Sequence, residues 1–132
     1  MKTKRTSGKY VDGFVFTVPK KNVAAYKKMA RDAEKVWKKF GALEYKECMG
    51  NDLKNKASQG MPAPLSFMKL TKVKPTETVW FSYIVYKSKT HRDQVNKKVM
   101  AFFEKKYEGK EEMEMPFDPR KMAYGGFSVE VG

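Results

Sequence analysis

The fold is decided by the stretch TVWFSYIVY, residues 78–86. It is rich in aromatic and β-branched residues, which favours a strand. A predicted helix over residues 88–107 and another strand-like run over residues 122–131 follow it. The same order of strand, helix and strand occurs earlier, over residues 10–18, 20–40 and 42–49. This repeated pattern predicts an α+β, ferredoxin-like βαββαβ protomer with two helices on one face of an antiparallel sheet.

The two predicted helices show apolar residues at steps of three and four. In the first helix these are Val23, Tyr26, Met29, Ala30, Ala33, Val36, Trp37 and Phe40, and in the second they are Val95, Val99, Phe102 and Phe103. Either Ser88 or Thr90 is expected to cap the second helix. Each helix therefore offers one apolar stripe to the sheet.

The segments outside this repeat predict less regular structure. Residues 50–75 contain three prolines and predict a long excursion that includes a short strand over residues 65–70. Residues 108–120 predict a loop, with at most one helical turn over residues 119–122.

The strand over residues 78–86 is apolar in both of its alternating phases. Val79, Phe81 and Val85 belong to one phase, while Trp80 and Ile84 belong to the other. One layer of helices covers only one face of a sheet, so the second face needs another cover. The economical solution is a homodimer, a dimeric α/β barrel whose two sheets enclose a partly polar interior.

Composition limits the class of protein further. The 132 residues predict one domain over residues 10–132, preceded by a basic, flexible tail over residues 1–9. Cys48 is the single cysteine, and no apolar stretch approaches the roughly 20 residues of a membrane span. We therefore expect a cytoplasmic protein without a membrane partner. The net charge of +13 lies mainly in the tail and the two helices, which predicts non-specific polyanion binding at low salt.

Several motifs resemble the YbaA-like family of small bacterial proteins. They are Tyr-Val-Asp-Gly-Phe at residues 10–14, Gly-Ala-Leu-Glu-Tyr at 41–45, Ser-Lys-Thr-His-Arg-Asp at 88–93, Asn-Lys-Lys-Val-Met at 96–100, Met-Pro-Phe-Asp at 115–118 and Tyr-Gly-Gly-Phe at 124–127. The resemblance implies ferredoxin-like protomers of the dimeric α/β barrel superfamily and implies no activity, because the family is uncharacterised. The chain departs from the family pattern in its basic tail and over residues 102–109.

Two groups of residues are candidates for chemistry. His91 is the only histidine, and a helix N-terminus would keep its imidazole neutral and able to accept a proton or bind a metal. Asp12 is expected on the sheet face turned away from the helices, where an apolar interior would favour its acid form. The predicted ligand-binding residues on that face are Trp80, Ser82, Tyr86 and Tyr124. The structural alternatives are a solvated His91, an Asp12 that only accepts hydrogen bonds beside Gly13, and aromatic residues that pack the core or dimer.

The sequence favours two classes of function. Superfamily relatives include cofactor-independent oxygenases, haem-degrading enzymes and isomerases, so by analogy the first class is an enzyme or sensor that takes a small apolar molecule inside the barrel. The alternative is a non-catalytic protein that binds a polyanion or nucleic acid through its basic surface. Residues 77–86 lack the Lys/Arg-Gly-aromatic signature of RNA-binding modules, which weighs against specific RNA recognition. The sequence names no cofactor, reaction or substrate.

Overall fold

The computed structural model describes residues 9–110 and 114–132. Its elements follow the order β1 (Tyr10–Pro19), α1 (Val23–Lys39), β2 (Glu44–Met49), α2 (Phe67–Thr71), β3 (Glu77–Tyr86), α3 (Lys89–Lys106) and β4 (Ala123–Ser128). Short 3-10 turns at Lys20–Asn22 and Pro119–Lys121 precede α1 and β4. The four strands form one antiparallel sheet in the order β2-β3-β1-β4. The predicted α+β, ferredoxin-like arrangement is confirmed, while the tail over residues 1–9 lies outside the described residues except for Lys9.

The ends of the two long helices have local causes. Ser88 caps α3, because its Oγ accepts a hydrogen bond of 3.0 Å from the backbone N–H of His91. After α1 the chain turns at Gly41. Its φ of +115° is a backbone conformation that residues with a side chain rarely adopt. The turn brings the chain into β2, where the backbone N–H of Leu43 donates to the carbonyl of Val85 in β3.

Helices α1 and α3 cover one face of the sheet, which we call the helix face. Near α3 the core consists of Val36, Ala42, Tyr45, Ile84, Tyr86, Val95 and Val99. Near the start of α1 it consists of Phe16, Val18, Tyr26, Ala30 and Trp80. Phe14 packs against both clusters, so the two parts of the core are continuous.

The opposite side of the sheet, which we call the open face, carries the other phase of each strand. Its residues on the two central strands include Val11, Val15, Thr17, Val79, Phe81, Tyr83 and Val85. Phe81 is 45% exposed and Phe127, on β4, is 62% exposed. At the far end Thr17 and Val79 are buried, and α2 packs against β1 and β3. The open face therefore keeps an exposed aromatic surface beyond α2.

The excursion between β2 and β3 differs from its prediction at one point. A strand was expected over residues 65–70, whereas Phe67–Thr71 forms the short helix α2. The Ser66 hydroxyl accepts a hydrogen bond of 3.1 Å from the backbone N–H of Lys69 and so caps this helix. The apolar residues of this segment gave a strand-like pattern, but the Ser66 cap favours the helical turn instead.

Candidate functional site

The predicted site residues share one face of the sheet, but it is the helix face. Asp12 pairs with Ile84 across β1 and β3, and Trp80 packs in the core with Tyr26 of α1. Tyr124 of β4 pairs with Phe14, which belongs to the same phase. The prediction that these residues face away from the helices is therefore wrong. Alternation assigns residues to phases correctly, but with both phases apolar it does not indicate which phase the helices cover.

Asp12 lies at the buried end of a polar cluster around Arg92, which we call the Arg92 cluster. Nη1 of Arg92 donates hydrogen bonds of 2.8 Å to Oδ1 of Asp12 and 2.8 Å to the hydroxyl of Tyr124. Nε of Arg92 donates to Asp93 at 2.8 Å. The Asp12 side chain is 2% exposed and that of Arg92 is 14% exposed. The apolar surroundings expected for Asp12 are thus replaced by a buried ion pair.

A tyrosine fixes the plane of the Arg92 guanidinium. The Arg92 Cζ lies 4.9 Å from the centre of the Tyr10 ring, which is a cation-π geometry. The Tyr10 ring crosses Gly126 so closely that a Cβ at residue 126 would overlap the Tyr10 hydroxyl. Stacking and hydrogen bonds together hold Arg92 in one orientation.

Burial and the Asp12 carboxylate raise the pKa of two tyrosines in this cluster. The pKa of Tyr86 is raised first by burial and then by the charge of Asp12. The pKa of Tyr124 is raised by the same two causes in the same order. Burial lowers the pKa of Arg92, but Asp12 and Asp93 outweigh it, so this pKa is raised overall. The cluster thus keeps a charged arginine and neutral phenols at physiological pH.

Sequence reasoning missed a second carboxylate on the same face. Oε1 of Glu47 accepts hydrogen bonds from the hydroxyl of Tyr26, at 2.7 Å, and from the hydroxyl of Ser82. Oε2 accepts a hydrogen bond of 2.8 Å from the hydroxyl of Tyr45. We call these four residues the Glu47 cluster, and they come from α1, β2 and β3. The alternation of Tyr45, Glu47 and Met49 along β2 is the one signal in the sequence that places Glu47 on the helix face.

The hydroxyls of the Glu47 cluster stay protonated. Burial, followed by the charge of Glu47, raises the pKa of Tyr26. The same causes raise the pKa of Tyr45. Both phenols are therefore hydrogen-bond donors to Glu47 throughout the physiological pH range.

The Glu47 cluster opens on a cleft of about 450 Å³ between α1 and β2, the Glu47 cleft. Its lining residues are Lys27, Ala30, Arg31, Glu34, Tyr45, Lys46, Glu47, Met49 and Trp80. The Trp80 ring lies 5.0 Å from that of Tyr26, edge to face, and its Nε1 donates to Thr78 Oγ1 at 2.9 Å. The cleft thus combines a carboxylate, an exposed methionine over buried aromatic rings, and a basic rim.

The structure divides the predicted site residues between these two places. Trp80 and Ser82 belong to the Glu47 cleft and its cluster, whereas Asp12 and Tyr124 contact Arg92. Tyr86 lies near Asp12, and its hydroxyl donates a hydrogen bond of 3.2 Å to Oδ1 of Asn96. Along β1 the register pairs Asp12 with Ile84 and Phe14 with Ser82, so apolar side chains separate the two clusters.

His91 lies at the start of α3, in contact with the turn after α1. Its Nδ1 accepts a hydrogen bond of 3.0 Å from the backbone N–H of Lys87, and its ring meets Tyr86 edge-on at 6.1 Å. Burial, with Lys87 and Lys98, lowers the pKa of His91, which agrees with the expected neutral ring. Because the Nδ1 lone pair accepts the N–H of Lys87, the hydrogen of the neutral ring lies on Nε2, which faces Gly41, so neither ring nitrogen has a free lone pair for a metal or proton.

The described residues contain neither a metal-binding group of side chains nor a membrane-spanning helix. Within residues 9–110 and 114–132, no three His, Cys, Asp or Glu side chains come together in a way that would hold a metal ion. In the same part of the chain, no helix has the length and apolar character needed to cross a bilayer.

Known proteins resemble the chain over most of its length. Residues 9–119 match a family described as "Protein of unknown function (DUF1428)". Proteins called "Uncharacterized protein YbaA" from Escherichia coli strain K12 and from Shigella flexneri are 40% identical over 119 residues, 90% of this chain and 94% of theirs. A solved structure titled "The Crystal Structure of Bacillus cereus protein related to NIF3" aligns with a TM-score of 0.38 and 10% identity, covering 98% of this chain and 27% of that one. A TM-score this low establishes no shared fold.

Proposed function

The chain belongs to the DUF1428 family, which confirms the resemblance to YbaA, and from that premise we propose that the protein binds a small molecule in the Glu47 cleft. A small-molecule ligand was also expected from the sequence. Its proposed site lies on the helix side of the sheet and not in the interior of a dimer.

The observation that carries the proposal is the environment of Glu47. Three hydroxyl groups orient its carboxylate, and among the described residues it has no ion-pair partner. The carboxylate therefore stands at the wall of a cleft without a counter-ion of its own among the described residues. The volume of about 450 Å³ lies within the usual range for small-molecule sites.

A fragment library measured by thermal shift tests this function. A ligand of the cleft should raise the Tm of the parent protein, and Glu47→Gln should abolish that rise. The matched control is Glu44→Gln, because Glu44 lies on the same strand but in the phase of the open face. A library without binders, or binders that stabilise both variants equally, would contradict the proposal.

The homodimer expected from the sequence remains a second proposal, with the two open faces in contact. The exposed Phe81 and Phe127 support it, because an aromatic surface of this kind is costly to leave in water. Phe81→Glu should produce a monomer in light scattering at micromolar concentration, whereas Met100→Glu, on exposed α3 surface, should not. A monomeric parent protein would refute the dimer.

The basic surface is an alternative function with an observation of its own. The bases of α1 are all exposed, and in the described part of the chain only Lys38 among them forms an ion pair, at 3.1 Å to Glu34. Retention on heparin should therefore fall steeply with salt, and deletion of residues 1–9 should weaken it. Binding of one RNA sequence that resists salt would instead favour specific nucleic-acid recognition in the cytoplasm.

A further inference from the structure

The inner end of the Glu47 cleft offers a hydrogen-bond acceptor. Oε1 of Glu47 already receives two hydroxyl donors, from Tyr26 and Ser82, whereas Oε2 receives one, from Tyr45. A carboxylate oxygen can accept two hydrogen bonds, so Oε2 keeps one acceptor position. The three surrounding hydroxyls already direct their hydrogens at Glu47. A ligand at this end is therefore recognised through a donor group of its own.

The middle of the cleft is apolar. Trp80, Tyr45 and Ala30 lie beneath it but are buried, so Met49, which is 44% exposed, offers the accessible apolar surface. A thioether makes favourable contacts with aromatic rings, which favours a flat ring in the ligand over a flexible polar chain.

The outer end of the cleft is positive. Lys27 and Arg31 lie four residues apart on α1, so their side chains project from the same side of the helix. Both are exposed, and neither is ion-paired within the described residues. The one acidic residue beside them on the rim, Glu34, is engaged by Lys38. This end attracts an anionic group and disfavours an amine.

We propose that the cleft selects aromatic carboxylates that carry a hydroxyl donor at the end opposite the carboxylate. The hydroxyl binds Oε2 of Glu47, the ring lies against Met49, and the carboxylate meets Lys27 and Arg31. This inference rests on the proposed function, since it names the ligand class of the same cleft. Specificity arises because the Glu47 end accepts a hydrogen-bond donor and disfavours an anion, whereas the positive end attracts an anion and disfavours an amine.

Three probes of similar size separate the contributions: 4-hydroxyphenylacetate, phenylacetate without the hydroxyl, and tyramine with an amine in place of the carboxylate. Calorimetric titration of the parent protein should give the tightest binding for 4-hydroxyphenylacetate. Loss of a hydrogen bond to a charged acceptor should weaken phenylacetate roughly tenfold. Tyramine should also bind more weakly, and added salt should reduce this difference.

Variants assign each preference to its residues. Glu47→Gln should remove the advantage of 4-hydroxyphenylacetate over phenylacetate, while Glu44→Gln should keep it. The double variant Lys27→Gln with Arg31→Gln should remove the advantage over tyramine, while Lys35→Gln, an exposed base of α1 outside the cleft lining, should keep it. The ranking on the parent protein needs no variant, so it decides the question even if Glu47→Gln fails to fold.

The outcomes distinguish a failure of the ligand class from a failure of the proposed binding function. Tighter binding of tyramine, equal binding of the first two probes, or no binding of any probe would each overturn the ligand class. If library fragments still bind in a manner that Glu47→Gln abolishes, the cleft remains a binding site for another class. If the library also yields no such fragment, the function fails together with the inference.

Discussion

Two carboxylates on the same face of one sheet have opposite surroundings. Asp12 is paired with Arg92, closed from solvent and approached by the phenols Tyr86 and Tyr124. Glu47 is held by neutral hydroxyls alone and stands at the wall of an open cleft. An acid paired with a fixed cation ties elements together, whereas an acid held by neutral donors has no counter-ion and can meet the donor group of a ligand. We therefore assign the first cluster to the fold and propose the second for binding.

The largest expected effect is on the Arg92 cluster. Asp12→Asn removes the buried one of the two carboxylates that pair with Arg92 and leaves only the exposed Asp93, which should lower the free energy of unfolding by about 3 kcal/mol. Urea unfolding followed by circular dichroism measures this loss. Asp93→Asn is the matched control, because Asp93 contacts the same Arg92 with a side chain 60% exposed, so its loss should stay below about 0.5 kcal/mol. Equal losses for the two variants would show that burial does not govern this cluster.

A smaller loss of stability is expected at the Glu47 cluster. Glu47→Gln keeps the shape and one acceptor oxygen but removes the charge that three hydroxyls solvate, so unfolding should become easier by about 1.5 kcal/mol. Glu44→Gln should change stability by less than about 0.5 kcal/mol in the same urea titration. If Glu47→Gln proved more costly than Asp12→Asn, the assignment of the two clusters to fold and binding would have to be reversed.

The smallest effect concerns pH at the first turn of α3, which carries Arg92. Because the pKa of His91 is lowered on folding, the unfolded chain binds a proton more readily, near pH 6.5. Stability should therefore decrease as pH falls below about 6.5, because a protonated Nδ1 would meet the N–H of Lys87. Thermal unfolding from pH 7.5 to 5.0 measures the slope, and His91→Gln should reduce it. An unchanged slope would mean that other groups cause the pH dependence.

The architecture could be predicted because it depends on periodicity. Strand and helix spacing, the Ser88 cap and the glycine after the first helix locate the long elements within a few residues. The short helix α2 was not predicted, because one capping hydroxyl at Ser66 decides it against an apolar pattern. Competition between a capping hydrogen bond and an apolar pattern is only weakly visible in the sequence.

From the sequence, the site residues could be grouped only by the face of the strand that they share. Alternation correctly grouped Asp12, Trp80 and Ser82, but with two apolar phases it could not choose the side. The Arg92 partner of Asp12 comes from 80 residues away, and the donors to Glu47 come from three separate elements. Such convergence follows from packing in three dimensions, so no spacing in the sequence reveals it.

The close approach of Tyr10 to Gly126 limits how the family can vary. A side chain at residue 126 would displace the Tyr10 ring, and with it the stacking surface for the Arg92 guanidinium. Gly126 is thus required for space and not for backbone freedom. In an alignment of relatives, residues 10 and 126 should covary: tyrosine at the first should accompany glycine at the second, and a larger residue at 126 a smaller one at 10.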